Sequence, residues 1–266
     1  MDLLLMGKRA LVTGSSRGIG ADIAKELAEE GVRVVVHGRD AEAARSTLDE
    51  ITRAGGEAKV VLGDLSDPAD CDRVAKEALA AFGGVDILVN NAGVSPPSNW
   101  DETRPEIWLL TYETNVMPAV RLSMKFAPMM KEAGWGRLIH IGSSAGAMGL
   151  PRAPEYSASK AAFANMSASL AKHYGKFGIT SNVLGVGTID NLGLRLKLAG
   201  QSDAADPFYD MLIRAAAGHY NMNPVGRTGR PEEVAFVVAM LASPRSSFIN
   251  GALIRVDGGK VPNVGL

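Results

Sequence analysis

Residues 10–20 read Ala-Leu-Val-Thr-Gly-Ser-Ser-Arg-Gly-Ile-Gly, and the fold turns on how this stretch is read. Residues 8–13 (KRALVT) form a short apolar run with the look of a buried strand, and Gly14, Gly18 and Gly20 break it at once. Beyond the glycines, Ile19, Ile23 and Leu27 recur on one stripe of a helix, and residues 32–37 (VRVVVH) form a second apolar strand. Strand, glycine turn, helix and strand make one βαβ unit.

The same rhythm continues in both directions from there. The pattern predicts a helix over 41–54, a strand over 58–62, a helix over 68–82 and a strand over 86–89. A long helix is expected over 104–132, then a strand over 137–142, a helix over 155–176 and a strand over 179–184. A helix carrying Val234, Val237, Val238 and Leu241 precedes a closing strand over 252–256. Seven short strands alternating with helices imply a parallel sheet covered on both faces. Right-handed crossovers then favour a doubly wound, Rossmann-type α/β fold in a single domain over 1–266, with ligands at the carboxyl ends of the strands. Only the stretch of about 190–223 breaks the alternation. It holds Leu192, Leu194, Leu196 and Leu198, then a polar run and Phe208, Tyr209 and Met211, and it is too short for its own core. It is expected to be a substrate lid.

Composition narrows the class of function. The 266 residues are 46% hydrophobic, with 28 Lys plus Arg against 29 Asp plus Glu and a net charge of −1. Such a chain has ample core and no general field for nucleic acid or an anionic membrane. No apolar run approaches the roughly 20 residues of a membrane span, and Leu3 to Met6 is too short for a secretory signal. The single Cys71 reads as an ordinary reduced thiol, and the expected location is the cytoplasm.

A glycine turn between a strand and a helix lets backbone approach a pyrophosphate, and the helix start offers unpaired N–H groups. Residues Gly14, Ser15, Ser16, Arg17, Gly18, Ile19 and Gly20 are therefore candidate dinucleotide ligands. The second strand ends His37-Gly38-Arg39-Asp40, with glycine where an acidic side chain would accept from the adenosine ribose. Arg39 and Arg17 offer two guanidinium groups to a 2′-phosphate, which favours NADP(H) over NAD(H). In the alternative reading Asp40 holds the ribose and Arg39 is a solvated surface charge.

Tyr156 and Lys160 lie four apart on one helix face, so an ammonium can sit near a phenol and favour its phenolate for proton exchange with a carbonyl or alcohol oxygen. Thirteen residues upstream the strand over 137–142 ends in Ser143-Ser144, at the edge where a substrate would lie. With these motifs in this order, nearly the whole chain resembles the short-chain dehydrogenase/reductase family in its common 250-residue form. The resemblance implies an adenine contact at Asp64 with Leu65, cofactor contacts at Asn91, Ala92 and Gly93 within Asn90–Gly93, and an active-site Asn at Asn115. It implies a catalytic serine at Ser143, with Ser144 the alternative, and it assigns both catalysis and cofactor binding to Tyr156 and Lys160. The tail also resembles the family in Pro231-Glu-Glu-Val and Val256-Asp-Gly-Gly259. After the sixth strand the chain departs from it, with Val186-Gly187 and Asn191 where many relatives have Pro-Gly and a later Thr. Backbone contacts from Gly187 and Ile189 to the nicotinamide are the expectation there.

The resemblance implies hydride exchange between the nicotinamide cofactor and a ketone or secondary alcohol, and the alternating leucines over 190–223 favour a small or medium, largely apolar one. It further implies that Asn115 positions a water relaying protons from Lys160, and that the chain forms dimers or a homotetramer through the helices over 104–132 and 155–176. A 3-oxoacyl thioester is the second substrate reading. It lacks obvious basic residues for an acidic carrier around Glu132–Arg137 and Lys176–Gly178. A non-catalytic NADP(H) sensor is a third, set against the presence of the complete Asn, Ser, Tyr and Lys set. The four histidines share no metal-ligand spacing. His140, flanked by isoleucines, reads as structural, His219 at the lid's end is a substrate-contact candidate, and Trp100 and Trp108 read as packing residues.

Overall fold

The structure, a computed structural model, describes residues 2–95, 98–190 and 223–261. Its strands are β1 (Arg9–Val12), β2 (Arg33–Gly38), β3 (Ala58–Leu62), β4 (Ile87–Asn90), β5 (Gly136–Ile141), β6 (Ile179–Val186) and β7 (Leu253–Val256). All pair in parallel in the order β3-β2-β1-β4-β5-β6-β7, so the order reverses between β1 and β4. That reversal opens a crevice above the carboxyl edge, where ligands of such sheets bind.

The strands are apolar along their length because helices cover both faces. On one face α1 (Gly18–Glu29), α2 (Ala41–Arg53) and α8 (Pro231–Ala242) enclose Ile23, Leu27, Ile51, Val234 and Val238 against Val12, Val34 and Val36. On the other, α3 (Pro68–Phe82) and α5 (Met117–Ala133) place Val74, Ala78, Leu122, Phe126 and Met130 against Leu11, Val35, Leu88 and Leu138. Helix starts follow local chemistry. The Asp40 and Asp67 carboxylates accept from backbone N–H groups at the starts of α2 and α3, and proline opens α3 and α8 and stands second in α5.

The single helix expected over 104–132 is in fact two, α4 (Pro105–Asn115) and α5, with Val116 between them. Pro118 has no N–H for the Thr114 carbonyl, and its ring crowds that carbonyl, so the ladder breaks where the apolar period runs on. The break leaves Asn115 as the last residue of α4, buried at 1% exposure. A short helix α6 (Ala145–Met148), which periodicity does not reveal, follows Ser144 and leads to α7 (Pro154–Tyr174). Trp100 is a correction of another kind: it is 66% exposed, with its ring 5.7 Å from that of the partly covered Trp108. The lid expected over 190–223 lies, apart from its end residues, outside the described residues, as do Asn191 and His219.

Candidate active site

The glycine turn is shaped by two different needs. Gly14 and Gly18 adopt φ of +64° and +59°, which side chains resist. Gly20 has an ordinary backbone but no room: a Cβ there would lie 2.3 Å from the Gly14 carbonyl oxygen and 2.5 Å from Asn91 Nδ2. Asn91 in turn donates from Nδ2 to the carbonyls of Thr13 and Gly14 at 2.9 and 3.0 Å. The N–H groups of Asn91 and Ala92 both donate to Thr13 Oγ1, at 2.9 and 3.1 Å, so the end of β4 is laced to the turn. Arg17, at the start of α1, provides no side-chain cap. A helix start of this kind keeps its first N–H groups for an anion.

Ser15 departs from the expectation that it faces the cofactor. Its hydroxyl donates to the Val12 carbonyl at 2.7 Å and accepts from the His37 N–H at 2.9 Å, and its own N–H donates to the His37 carbonyl at 2.8 Å. Both its polar groups are thus turned into the fold. At the tip of β2, a Cβ on Gly38 would lie 2.6 Å from Ser16 Oγ, so an acidic side chain has no place there. Asp40 is engaged as well: Oδ1 accepts from the Glu42 and Ala43 N–H groups, and Oδ2 pairs with Arg17 at 3.0 Å. Arg39 pairs with Asp64 at 3.4 Å. Hydrogen bonds from Ser66 chiefly hold the Asp64 carboxyl below its ordinary pKa, and Arg39 adds to this. Both ion pairs are largely exposed and so weak, and a phosphate can replace their carboxylates. Leu65 is buried in the second core, leaving only its backbone for a ligand.

On the other side of the crevice, the Ser143 side chain acts to lower the Tyr156 pKa, and its Oγ accepts from the Ala145 N–H at 3.1 Å. Ser144, buried at 5%, starts α6 instead. Lys160, 6% exposed, donates from Nζ to the Ile141 carbonyl at 2.9 Å and lies 5.9 Å from the centre of the Tyr156 ring. Asn115 grips the loop after β4, with Oδ1 accepting from the Val94 N–H at 2.8 Å and Nδ2 donating to the Val94 carbonyl at 2.9 Å. The same Nδ2 reaches Ser159 Oγ at 3.1 Å, and Ser159 donates to the Tyr156 carbonyl. A Cβ on Gly93 would lie 3.2 Å from Asn115 Oδ1 and 3.3 Å from Lys160 Nζ, so these three residues meet.

The model of the short chain dehydrogenase family matches residues 8–196. The chain belongs to the short-chain dehydrogenase family. Among its relatives the 3-oxoacyl-(acyl-carrier-protein) reductase of Escherichia coli is 36% identical over 253 residues, covering 95% of this chain and 97% of that one. The solved L-sorbose reductase of Gluconobacter frateurii, complexed with NADPH and L-sorbose, superposes with a TM-score of 0.91 at 31% identity, over 99% of this chain and 100% of that one. A 3-oxoacyl (acyl-carrier-protein) reductase of Agrobacterium tumefaciens with NADP bound gives 0.87 at 32% identity, over 97% and 96%.

Within this short-chain dehydrogenase, the residues predicted from sequence gather along one sheet edge, from Gly14–Gly20 and Arg39 through Asp64 and Asn91–Gly93 to Ser143, Tyr156 and Lys160. At Gly187 the N–H is taken by the Val256 carbonyl at 2.9 Å, which leaves only its carbonyl for a ligand. Ile189, 5% exposed, bridges to Gly229 at the end of the same edge. The expected fall in the Tyr156 pKa is not what this arrangement produces: burial raises it, Ser143 pulls it back, and Lys160 is turned to a carbonyl. Burial also lowers Lys160, to about 8. Sequence reasoning missed Thr13, Ser159, His37 and Glu155. The last is fully buried beside Tyr156 and hydrogen-bonded to Ser98, which fixes the far end of the loop that Asn115 holds. Among the described residues no cluster fits a metal ion and no helix is long and apolar enough to cross a membrane.

Proposed function

We propose that this chain is an NADP(H)-dependent oxidoreductase that interconverts a ketone and a secondary alcohol. The observation that carries the reading is the Ser143 side chain acting on Tyr156, with Lys160 one helical turn along α7, at the edge that also carries the glycine turn. The residues fit the cofactor. The crowded Gly20 and the left-handed Gly14 and Gly18 bring backbone close enough to cradle a pyrophosphate, and Gly38 with Arg17 and Arg39 suits a ribose phosphate. The names of two solved relatives, bound to NADPH and NADP, favour the same choice.

When bound, the nicotinamide supplies or takes the hydride. Tyr156 gives its hydroxyl proton to the carbonyl oxygen in reduction and takes it back in oxidation. Ser143 holds that oxygen by a hydrogen bond. Lys160 would hold the cofactor ribose, and with the cofactor bound its positive charge would stabilise the phenolate that Tyr156 becomes. Asn115, with its side chain committed to Val94 and Ser159, fixes the loop beside Lys160, where a water would resupply the lysine's proton. The substrate is of small to medium size and largely apolar, a reading that rests on the leucine-rich segment over 190–223.

Arg17→Ala and Arg39→Ala test the cofactor reading. Each is expected to raise the KM for NADPH about tenfold, the worth of a charge-assisted contact to phosphate, and to leave that for NADH almost unchanged. Equal effects on both cofactors would assign the two arginines to fold rather than to phosphate.

A 3-oxoacyl thioester is the second reading. It is favoured by the curated relative and by exposed Lys131 and Lys176, whose ammonium groups lie 4.4 and 5.1 Å from the centre of the Phe177 ring. This places a small basic spot where the sequence had suggested none. Arg137 takes no part in it, being fully buried against the carbonyls of Gly136, Gly178 and Ser243, with its pKa lowered by burial to about 10.

Self-association is part of the proposal. Leu109, Leu110 and Met124 on α4 and α5 are 69%, 64% and 72% exposed, an apolar surface suited to a second copy. Light scattering should give a dimer or tetramer, and Leu110→Glu should lower the mass; a wild-type monomer would contradict this.

A further inference from the structure

Regular pairing between β1 and β2 ends at Val12 with Val36, so the glycine turn begins where the ladder stops. His37 carries the connection onward. Its Nδ1 accepts from the Gly14 N–H at 3.1 Å, its carbonyl accepts from the Ser15 N–H at 2.8 Å, and its own N–H donates to Ser15 Oγ at 2.9 Å. Three hydrogen bonds thus run from one residue to the first two residues of the turn. His37 is 3% exposed, so water does not substitute for them. An Nδ1 that accepts a backbone N–H selects the tautomer with its proton on Nε2, which faces the Gly63 backbone in a contact short of good hydrogen-bond geometry.

We propose that His37 is a positioning residue for the cofactor, its imidazole Nδ1 holding the Gly14 N–H and so fixing the turn on which the pyrophosphate rests. This rests on the NADP(H) reading given above. Gly14 sits at φ +64° with its carbonyl held by Asn91 on the β4 side, and His37 holds its N–H on the β2 side. With the His37 grip lost, the peptide joining Thr13 and Gly14 is held only through its Thr13 carbonyl by Asn91, and the N–H groups that follow converge less well on one point. Loss of convergence weakens binding without touching the groups at Ser143 and Tyr156.

The environment keeps the grip intact through the working pH range. Burial lowers the His37 pKa to about 4; Asp64 and Asp70 oppose this and the adjacent Arg39 reinforces it. A protonated imidazole would set a second donor against the Gly14 N–H.

Asparagine places its Oδ1 close to where histidine carries Nδ1, while glutamine and leucine do not, and this supplies the test. NADPH affinity is measured by fluorescence titration on the whole chain, with thermal unfolding followed alongside. His37→Leu should weaken NADPH about tenfold and raise its KM in step, with kcat at saturating cofactor lowered by less than about twofold, and His37→Asn should recover most of the affinity. A purely structural role would lower the unfolding temperature of both variants alike and move neither Kd. If His37→Leu does not fold, His37→Gln against His37→Asn decides, with the Gln variant expected to bind the more weakly. Wild-type affinity in the Leu or Gln variant, or no recovery with Asn, would overturn the proposal. Absence of NADPH binding by the unaltered protein would overturn the cofactor reading instead.

Discussion

Replacing Tyr156 by Phe should lower kcat/KM by about 10³-fold, as expected for loss of a positioned general acid, while NADPH affinity stays within about twofold of the unaltered protein. The change removes one oxygen, the partner of Ser143. It leaves the ring, the helix face and the Lys160 bond to the Ile141 carbonyl in place. Stopped-flow binding and steady-state rates separate the two effects. Unaltered turnover in the variant would remove Tyr156 from the chemistry. Ser143→Ala should lower kcat/KM in the same direction, since Ser143 opposes the burial that raises the Tyr156 pKa.

Stability should fall steeply in mild acid. His37 and His140 are both buried and held neutral, with pKa values lowered to about 4 and about 3 by burial, aided at His140 by the charge of Lys160. His140 has no route to a protonated form. Its Nδ1 faces Asn90 Nδ2 at 3.1 Å and its Nε2 faces Ser181 Oγ at 3.2 Å, inside the sheet and 0% exposed. In the unfolded chain both histidines take a proton near pH 6.5, while in the folded chain neither does until far lower. The contribution is therefore intact above pH 6.5 and is lost as pH falls from there toward 4 and 3. Each histidine should give a slope of up to about 1.4 kcal/mol per pH unit, against a total stability for such domains of about 5–15 kcal/mol. Ordinary carboxylates titrate near 4, so the interval from about pH 6.5 to 4.8 belongs to the histidines. Urea midpoints across that interval should drop steadily, and His140→Gln should remove about half of the slope. A flat profile would mean that both rings are protonated in the folded protein, and half the slope that one of them is.

The layered fold and most of the candidate site were legible because each depends on local pattern. A glycine turn after an apolar strand, a hydroxyl at the end of β5 and Tyr and Lys four apart on a helix are all visible within a few residues. What escaped depends on contacts between distant segments or on backbone detail. The break between α4 and α5 escaped because the apolar period continues across Pro118, whose missing N–H interrupts the helix without altering that period. His37 looked like one more buried position on an apolar strand, since its grip on Gly14 spans two strands. The link from Ser98 to Glu155 joins residues 57 apart and has no sequence motif. Ser15 lies inside a motif whose members are read as cofactor ligands. Its inward turn follows from His37 lying opposite it.

In the proposed reaction Tyr156 governs hydride exchange with NADP(H). Its most direct test follows the absorbance of NADPH and NADH in parallel with a panel of apolar ketones, ketoses and 3-oxoacyl thioesters, using the unaltered protein and Tyr156→Phe. NADPH-dependent turnover of at least one ketone is expected, slower with NADH and largely lost in the variant. Tight NADPH binding with no turnover of any member of the panel would contradict it and leave a cofactor-binding protein without catalysis.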